Sequence, residues 1–258
     1  MLNLKKPHFM ARKWYDSHIT RITPASSTTR RFWLAVPEEE GFPFRAGQFI
    51  TMDLPIGEKR LDRWRSYSIA SPPATAAEGI ELCIVHLNGG RATQYLFEEA
   101  EVGTPIRFKG PEGVFTLPEE ISHELVFVCT GTGVAPFRSM IHDLVSRGPL
   151  QQPIHLIFGT RYAEGLLYRD EFAALAQSQP LFSYSVALSR EEDIDPAAFS
   201  FPVHRGYVHQ VYTQHYGTPN PNRRFYLCGW SNMIDEARQH LTENLGYEPQ
   251  QVIYELYG

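Results

Sequence analysis

Cysteine is scarce in this sequence. Cys83, Cys129 and Cys228 are three in 258 residues, odd in number and widely separated. That spacing argues against a disulfide framework, and the missing Cys-x-x-Cys pair argues against an iron–sulfur cluster or a cysteine-built metal site. The ten histidines show no His-Glu-x-x-His spacing, so no zinc centre is expected either. Long apolar runs are missing too. Leu125–Cys129 and Ile154–Phe158 are far shorter than the roughly 20 residues that cross a bilayer. Lys5, Lys6, Arg12 and Lys13 are not followed by an apolar stretch of signal-peptide length, so a cytoplasmic protein without a membrane span is expected.

Lysine is absent from the second half. All five lysines lie in residues 1–110, which carry 15 Lys+Arg against 12 Asp+Glu, whereas 111–258 carry 9 against 17. A net charge of −5 gives no general attraction to nucleic acid. The asymmetry fits two domains with different partners, the first able to attract an acidic protein; it is equally compatible with plain solvated surface. At 258 residues and 43% hydrophobic side chains the chain sits where one core tends to split into two.

What is present changes rhythm along the chain. From Arg31 to Lys109 short β-rich segments (31–36, 48–54, 65–70, 80–87 and 104–108) are punctuated by Gly and Pro, with one convincing helix at 92–99. That pattern predicts a small antiparallel barrel over residues 1–118. After Pro118 apolar strands alternate with amphipathic segments: strand 125–129, helix 135–146, strand 154–158, helix 169–177, strands 182–188 and 225–228, helix 233–245. The alternation predicts a Rossmann-like parallel sheet over 119–258. Its ligands would gather at the carboxyl ends of the strands, at Thr130–Gly133, Gly159–Arg161, Ser189–Arg190 and Gly229.

Three segments carry chemistry. In Arg65-Ser66-Tyr67-Ser68 the arginine and tyrosine project from one strand face. A guanidinium fork binds phosphate, a phenol ring stacks on a flat heterocycle, and a small hydroxyl reaches a ring nitrogen. The tetrapeptide alone is equally an ordinary amphipathic strand. Asn88-Gly89-Gly90-Arg91-Ala92-Thr93 puts glycines before a helix start, where backbone approaches phosphate closely, or makes a plain Gly-Gly turn. Leu125–Cys129 runs into Thr130-Gly131-Thr132-Gly133-Val134-Ala135-Pro136, a Gly-x-Gly turn opening a helix with proline early in it. The third glycine of the dinucleotide fingerprint is absent.

Together these segments, followed by Tyr226-Leu227-Cys228-Gly229 with Met233-Ile234-Asp235 and by Glu255-Leu256-Tyr257, stand in the order found in the ferredoxin-NADP reductase superfamily, which residues 15–258 resemble. The resemblance implies an FAD-binding barrel followed by a nicotinamide-nucleotide domain. It implies that Tyr67 stacks on the isoalloxazine, Ser66 and Ser68 lie along the flavin with Ser68 near N5, and Arg65 holds the pyrophosphate. Ile84, Val85 and His86 match the strand beside the flavin, and Gly90, Ala92 and Thr93 the segment binding FAD phosphates. Gly131, Thr132, Gly133, Val134, Cys228, Gly229 and Met233 match the nicotinamide-nucleotide site, Thr132 also approaching the flavin. Ser68, Cys228, Glu255 and Tyr257 are the implied catalytic set, although a buried Cys228 is otherwise just a small hydrophobe. Ser189 and Arg190 match the grip on the 2′-phosphate of NADP(H), with Arg161 and Arg205 able to add charge. Glu191-Glu192-Asp193 follows at once and opposes a phosphate. The implied activity is hydride transfer between NADP(H) and FAD, coupled to one-electron exchange with ferredoxin or flavodoxin. The alternatives are a reductase component of a multicomponent oxygenase, a free flavin reductase, or a non-catalytic electron-transfer subunit.

Overall fold

In a computed structural model of the chain, residues 13–36 and 41–256 are described. The first half folds as six strands: β1 (Trp14–Pro24), β2 (Thr29–Leu34), β3 (Phe49–Asp53), β4 (Trp64–Ser68), β5 (Ile80–Val85) and β6 (Pro105–Glu112). They pair antiparallel in the order β4-β3-β6-β1-β2-β5. Ile69 bridges Leu82 and the Ala70 N–H donates to the Glu81 carbonyl at 2.7 Å, which joins the last strand to the first and closes a barrel. Ile19, Phe32, Ile50, Met52, Leu82 and Phe108 fill it, the inward half of each alternating strand. Helical segments decorate it: α1 (Arg60–Arg63), a 3-10 helix at Pro73–Glu78, and α2 (Arg91–Gln94), the last running on into a π-helical turn at Tyr95–Glu99.

The second half is a six-stranded, all-parallel sheet of β7 (Glu124–Thr130), β8 (Ile154–Thr160), β9 (Phe182–Leu188), β10 (Val203–Arg205), β11 (Arg223–Gly229) and β12 (Val252–Leu256), in the order β10-β9-β8-β7-β11-β12. Residues 125–129 read as a continuous apolar run because β7 is central and covered on both faces. One face packs against α3 (Val134–Ser146) and α4 (Arg169–Ser178) through Phe137, Met140, Ile141 and Phe172. The other packs against α5 (Val208–Tyr216) and α6 (Ser231–Gln239) through Val208, Val211, Tyr212, Met233 and Ile234. Successive strands run outward from β7 on one side, then the chain crosses back to β11. The carboxyl ends of β7 and β11 therefore flank a topological switch point, where open parallel sheets bind ligands.

Barrel and sheet share packing: Ala46, Ala70, Cys83 and Phe115 from the barrel side enter the α3/α4 core, with the Phe115 ring 5.6 Å from that of Tyr226. The helix expected over 233–245 starts at Ser231 and passes into a π-helical turn, His240–Asn244. Strands β1, β10 and β12 and helix α5 were not among the expected elements. α5 carried a usable signal, since Val208, Val211, Tyr212 and Tyr216 repeat on one helical face and are all buried.

Candidate active site

The barrel's closure is short, and that shapes the site. β4 and β5 are joined only through Ile69, Ala70, Glu81 and Leu82; beyond these, the antiparallel register would set Tyr67 opposite Ile84, but among the described residues no backbone hydrogen bond joins them. The result is an open seam with Tyr67 on one lip and Ile84, Val85 and His86 on the other. Tyr67 is half-buried against the barrel core, and burial pushes its hydroxyl up to about 12, the Arg65 charge opposing. The Arg65 guanidinium folds back onto the carbonyls of Trp64 (2.7 Å) and Leu61 (3.1 Å). Ser66 sits on the opposite strand face, its hydroxyl 3.0 Å from that of Thr51, which donates to Glu112 at 2.9 Å. Past the seam, Thr93 is buried and its hydroxyl ties the Gly89–Gly90 turn, accepting from the Leu87 N–H at 3.1 Å and donating to the Gly90 carbonyl at 3.0 Å. A Cβ built on Gly89 (φ +74) meets nothing within 4 Å, so this turn is approachable to its backbone. Ala92 is buried beneath it.

At the switch point the Gly131–Gly133 turn packs directly on β11. A Cβ on Gly133 would stand 2.3 Å from the Cys228 carbonyl oxygen, so only glycine permits this approach. Gly131 (φ +54) and Gly229 (φ +141) take left-handed backbone, and a Cβ on Gly229 would meet the Thr130 hydroxyl at 2.4 Å. Val134, Cys228 and Met233 are buried behind the loop, and Thr132 is half-buried on it. Thr130, expected at this strand end, and Trp230, outside the expected set, complete the crevice. Thr130 accepts the Trp230 N–H at 3.3 Å, tying the two strand ends, and Trp230 is 61% exposed with its indole nitrogen beside Gly131. A tryptophan directly after a Cys-Gly strand end, outside any apolar run, was the available signal.

Glu255 joins barrel and sheet. The β11/β12 register sets it beside Cys228, and the Ser68 hydroxyl donates to its carboxylate at 3.4 Å. Gly113 (φ +101) gives room on the other side, where a Cβ in place of its hydrogen would lie 3.7 Å from the carboxylate. Burial pushes the Glu255 carboxyl up to about 7, against the opposing hydrogen bond from Ser68. Between its ordinary 4.5 and this value the folded chain holds a proton that the unfolded chain releases, so stability from this group is full below 4.5 and is lost as pH rises through 7. Glu255→Gln is therefore expected to flatten that part of the pH–stability curve, gaining on the native protein by about 1–3 kcal/mol between pH 5 and pH 8 in urea titrations. Parallel curves for the two proteins would remove the carboxyl from this role. Tyr257, the remaining member of the implied catalytic set, lies outside the described residues.

Three arginines line the rim at the ends of β8, β9 and β10. The Arg190 N–H donates to the Arg161 carbonyl at 2.9 Å, and Arg205 pairs with Leu188 at the last register position of β10. All three side chains are exposed, and among the described residues none is in an ion pair. Ser189 donates to the Thr160 carbonyl at 3.4 Å. Glu191, expected to oppose a phosphate here, accepts the Ala163 N–H at 3.0 Å.

A barrel whose open seam faces the switch point of a doubly covered parallel sheet defines a flavin- and dinucleotide-dependent oxidoreductase. The oxidoreductase FAD-binding domain family matches residues 16–117, and the oxidoreductase NAD-binding domain family matches 127–239. Ferredoxin–NADP reductase B of Sorangium cellulosum is 30% identical over 250 residues, covering 94% of this chain and 97% of that protein. The phenol 2-monooxygenase reductase component DmpP of a Pseudomonas species is 33% identical over 234 residues, 91% of this chain but 63% of the relative. Among solved structures, the Amycolatopsis cytochrome P450 reductase GcoB superposes with a TM-score of 0.81 at 25% identity, over 96% of this chain and 71% of that one. A ferredoxin NADP+ reductase from Neisseria gonorrhoeae with bound FAD and NADP gives 0.76 at 24% identity, over 96% and 100%. The chain belongs to the ferredoxin–NADP reductase superfamily, an oxidoreductase with an FAD-binding antiparallel barrel and an NAD(P)-binding parallel sheet. Its own geometry fits both groups: the unladdered seam beside Tyr67 and the open Gly89 turn suit FAD, and the Gly133 cradle on Cys228 suits a dinucleotide. No helix among the described residues is long and apolar enough to cross a membrane.

Proposed function

We propose that this chain is an FAD-dependent ferredoxin (flavodoxin)–NADP reductase, with residues 1–118 holding FAD and 119–258 holding NADP(H). The observation that carries the reading is the Ser68–Glu255 contact of 3.4 Å, which brings the strand assigned to the flavin against the strand end assigned to the nicotinamide. Bound FAD supplies acceptance of a hydride at N5 and release of the electrons singly. The chain's residues do the positioning. Tyr67 offers its ring to the isoalloxazine, Ser66 and Ser68 their hydroxyls along its edge, and Ile84, Val85 and His86 the facing lip. Arg65 would hold the pyrophosphate through its guanidinium, and Gly90, Ala92 and Thr93 would present the turn to the phosphates. Gly131, Thr132, Gly133 and Val134 receive the nucleotide, while Cys228, Gly229 and Met233 form the floor under the nicotinamide. Glu255, its carboxyl facing Ser68, is poised to take up and release a proton near neutral pH, and Tyr257, outside the described residues, is assigned by the resemblance alone to the cover over the ring. Arg161, Ser189, Arg190 and Arg205 take the 2′-phosphate. Ferredoxin or flavodoxin is the proposed electron-carrier partner, in the cytoplasm.

The 33% identity to DmpP favours a second reading, the reductase component of an oxygenase. Both are tested on one preparation. The purified protein is expected to be yellow, to bleach anaerobically with NADPH at least about tenfold faster than with NADH, and to recolour when oxidised ferredoxin or flavodoxin is added. Recolouring only with an oxygenase component selects the second reading. A protein that stays colourless after incubation with FAD defeats both.

A further inference from the structure

Away from the reacting rings, barrel and sheet are joined by a buried polar cluster. Glu81, on β5, has a side chain only 3% exposed. Its carboxylate accepts from Arg31 on the same barrel (2.6 and 3.0 Å) and from Arg138 (3.0 Å) and the Tyr168 hydroxyl (2.7 Å) across the interface. Arg138, on α3, uses the same Nη1 to donate to the Ala70 carbonyl at 2.9 Å, and its other nitrogens fork onto Glu171 at 2.7 and 3.1 Å. The next residue, Ser139, donates to the Ser71 carbonyl at 2.7 Å, and the Ser71 hydroxyl accepts the Glu81 N–H at 3.0 Å. Tyr168 has the one left-handed non-glycine backbone among the described residues (φ 55), and its ring lies 4.9 Å from the Arg31 guanidinium and 4.6 Å from that of Arg138. Such a conformation persists only where its surroundings over-determine it.

The two chain segments joined here lead straight to the two halves of the site. Ala70 is two residues past Ser68, about 7 Å along the strand. Arg138 is four residues past Val134, about 6 Å or one helical turn beyond the dinucleotide loop. With lever arms of that length, a rotation of about 9° at the cluster moves the reacting positions apart by about 1 Å, a displacement that costs hydride transfer about 10²-fold. Stability alone does not explain the cluster, because well-packed apolar residues hold an interface as firmly as a buried ion pair. Directional hydrogen bonds on Ala70 and Ser71 add something apolar contacts cannot: a fixed register between strand and helix. On the outer side the interface opens into a polar cleft of about 420 Å³ reaching Arg21, Thr75 and His142.

We infer that Arg138, held by Glu81 and Tyr168, is a positioning residue that fixes the separation between the Tyr67–Ser68 strand and the Gly131–Gly133 loop; the inference rests on the function proposed above. The test uses FAD-loaded protein, native and carrying Arg138→Gln, Arg138→Lys or Tyr168→Phe. Arg138→Gln is expected to keep its FAD and to bind NADP+ within about threefold of native, while bleaching at saturating NADPH about 30–100-fold more slowly and losing long-wavelength flavin–nicotinamide absorbance. Arg138→Lys, which retains the charge but not the fork, should recover only part of the rate. Without FAD or nucleotide, amide exchange over Ala70–Ser71 and the first turns of α3 should quicken in Arg138→Gln, a readout independent of activity. Tyr168→Phe, which keeps the ring, should slow bleaching about 3–10-fold and serves if Arg138→Gln does not fold. Faster exchange with an unchanged bleaching rate overturns the inference, as does a parallel loss of FAD, nucleotide affinity and rate. A native protein that neither nucleotide bleaches overturns the proposed function instead, while unchanged exchange in the variant overturns the hold of Arg138 on the Ala70–Ser71 strand.

Discussion

Gly133→Ala is expected to lower the rate of flavin reduction by nucleotide by about 10²-fold or more, while the variant still folds and binds FAD. The added Cβ would stand 2.3 Å from the Cys228 carbonyl oxygen, 2.6 Å from its carbon and 2.7 Å from the Gly229 Cα. All three atoms are backbone of β11, so no side-chain rotation relieves the clash. The Gly131–Gly133 loop must withdraw by about 1 Å, the scale of misplacement that takes a nicotinamide out of hydride range. Overpacking of this kind costs about 1–3 kcal/mol of stability, or a few degrees of melting temperature for a chain of this size. Stopped-flow bleaching and a thermal melt read the two effects separately. Gly131→Ala is the useful contrast, since its Cβ would find only the Trp230 indole nitrogen at 3.8 Å and its cost is left-handed backbone, about 1–2 kcal/mol. Bleaching in Gly133→Ala within threefold of native would mean that the loop does not carry the nucleotide against the flavin.

Apolar patterning and Gly/Pro punctuation made most of the architecture legible. Strand 182–188 is found with its expected bounds, and the other expected strands and helices lie within a few residues of theirs, because half-buried elements repeat the period of their buried face while the central strands β7 and β8 are continuous apolar runs. β1 escaped because its eleven residues, WYDSHITRITP, alternate poorly and place only Tyr15 and Ile19 fully inside. β10 and β12 escaped because three or five residues at a sheet edge carry too little pattern. Order of motifs, rather than any one motif, pointed to the site. What sequence could not supply was distance: that Ser68 meets a carboxylate 187 positions away, or that Glu81 meets Arg138 and Tyr168, follows from how the barrel docks on the sheet. The polarity of those residues gave no clue, since an isolated Glu in a strand reads as solvent-facing whereas Glu81 is almost wholly buried.

The double substitution Arg161→Ala, Arg190→Ala is expected to cut kcat/KM for NADPH by about 10²-fold and to change that for NADH less than about threefold. A hydrogen bond to a charged group contributes about 1.5–3 kcal/mol, so two arginines could supply up to about 10⁴-fold. Both side chains are exposed, and solvent screening puts the expectation at the lower end. Screening also gives an internal check, because the NADPH advantage expected of the native protein should shrink as ionic strength is raised from about 0.01 M to about 0.5 M, where the Debye length drops from about 30 Å to a few ångströms. The acidic run that follows opposes the proposed phosphate site only in part. Glu191 is engaged with the Ala163 N–H, which leaves Glu192 and Asp193, both exposed, to oppose the three rim arginines. Arg190→Lys should recover less than the charge it restores, since a guanidinium fork matches phosphate geometry and an ammonium does not. Equal losses with NADPH and NADH would show that these arginines grip a part common to both nucleotides, and the preference would then have to be sought away from the ends of β8, β9 and β10.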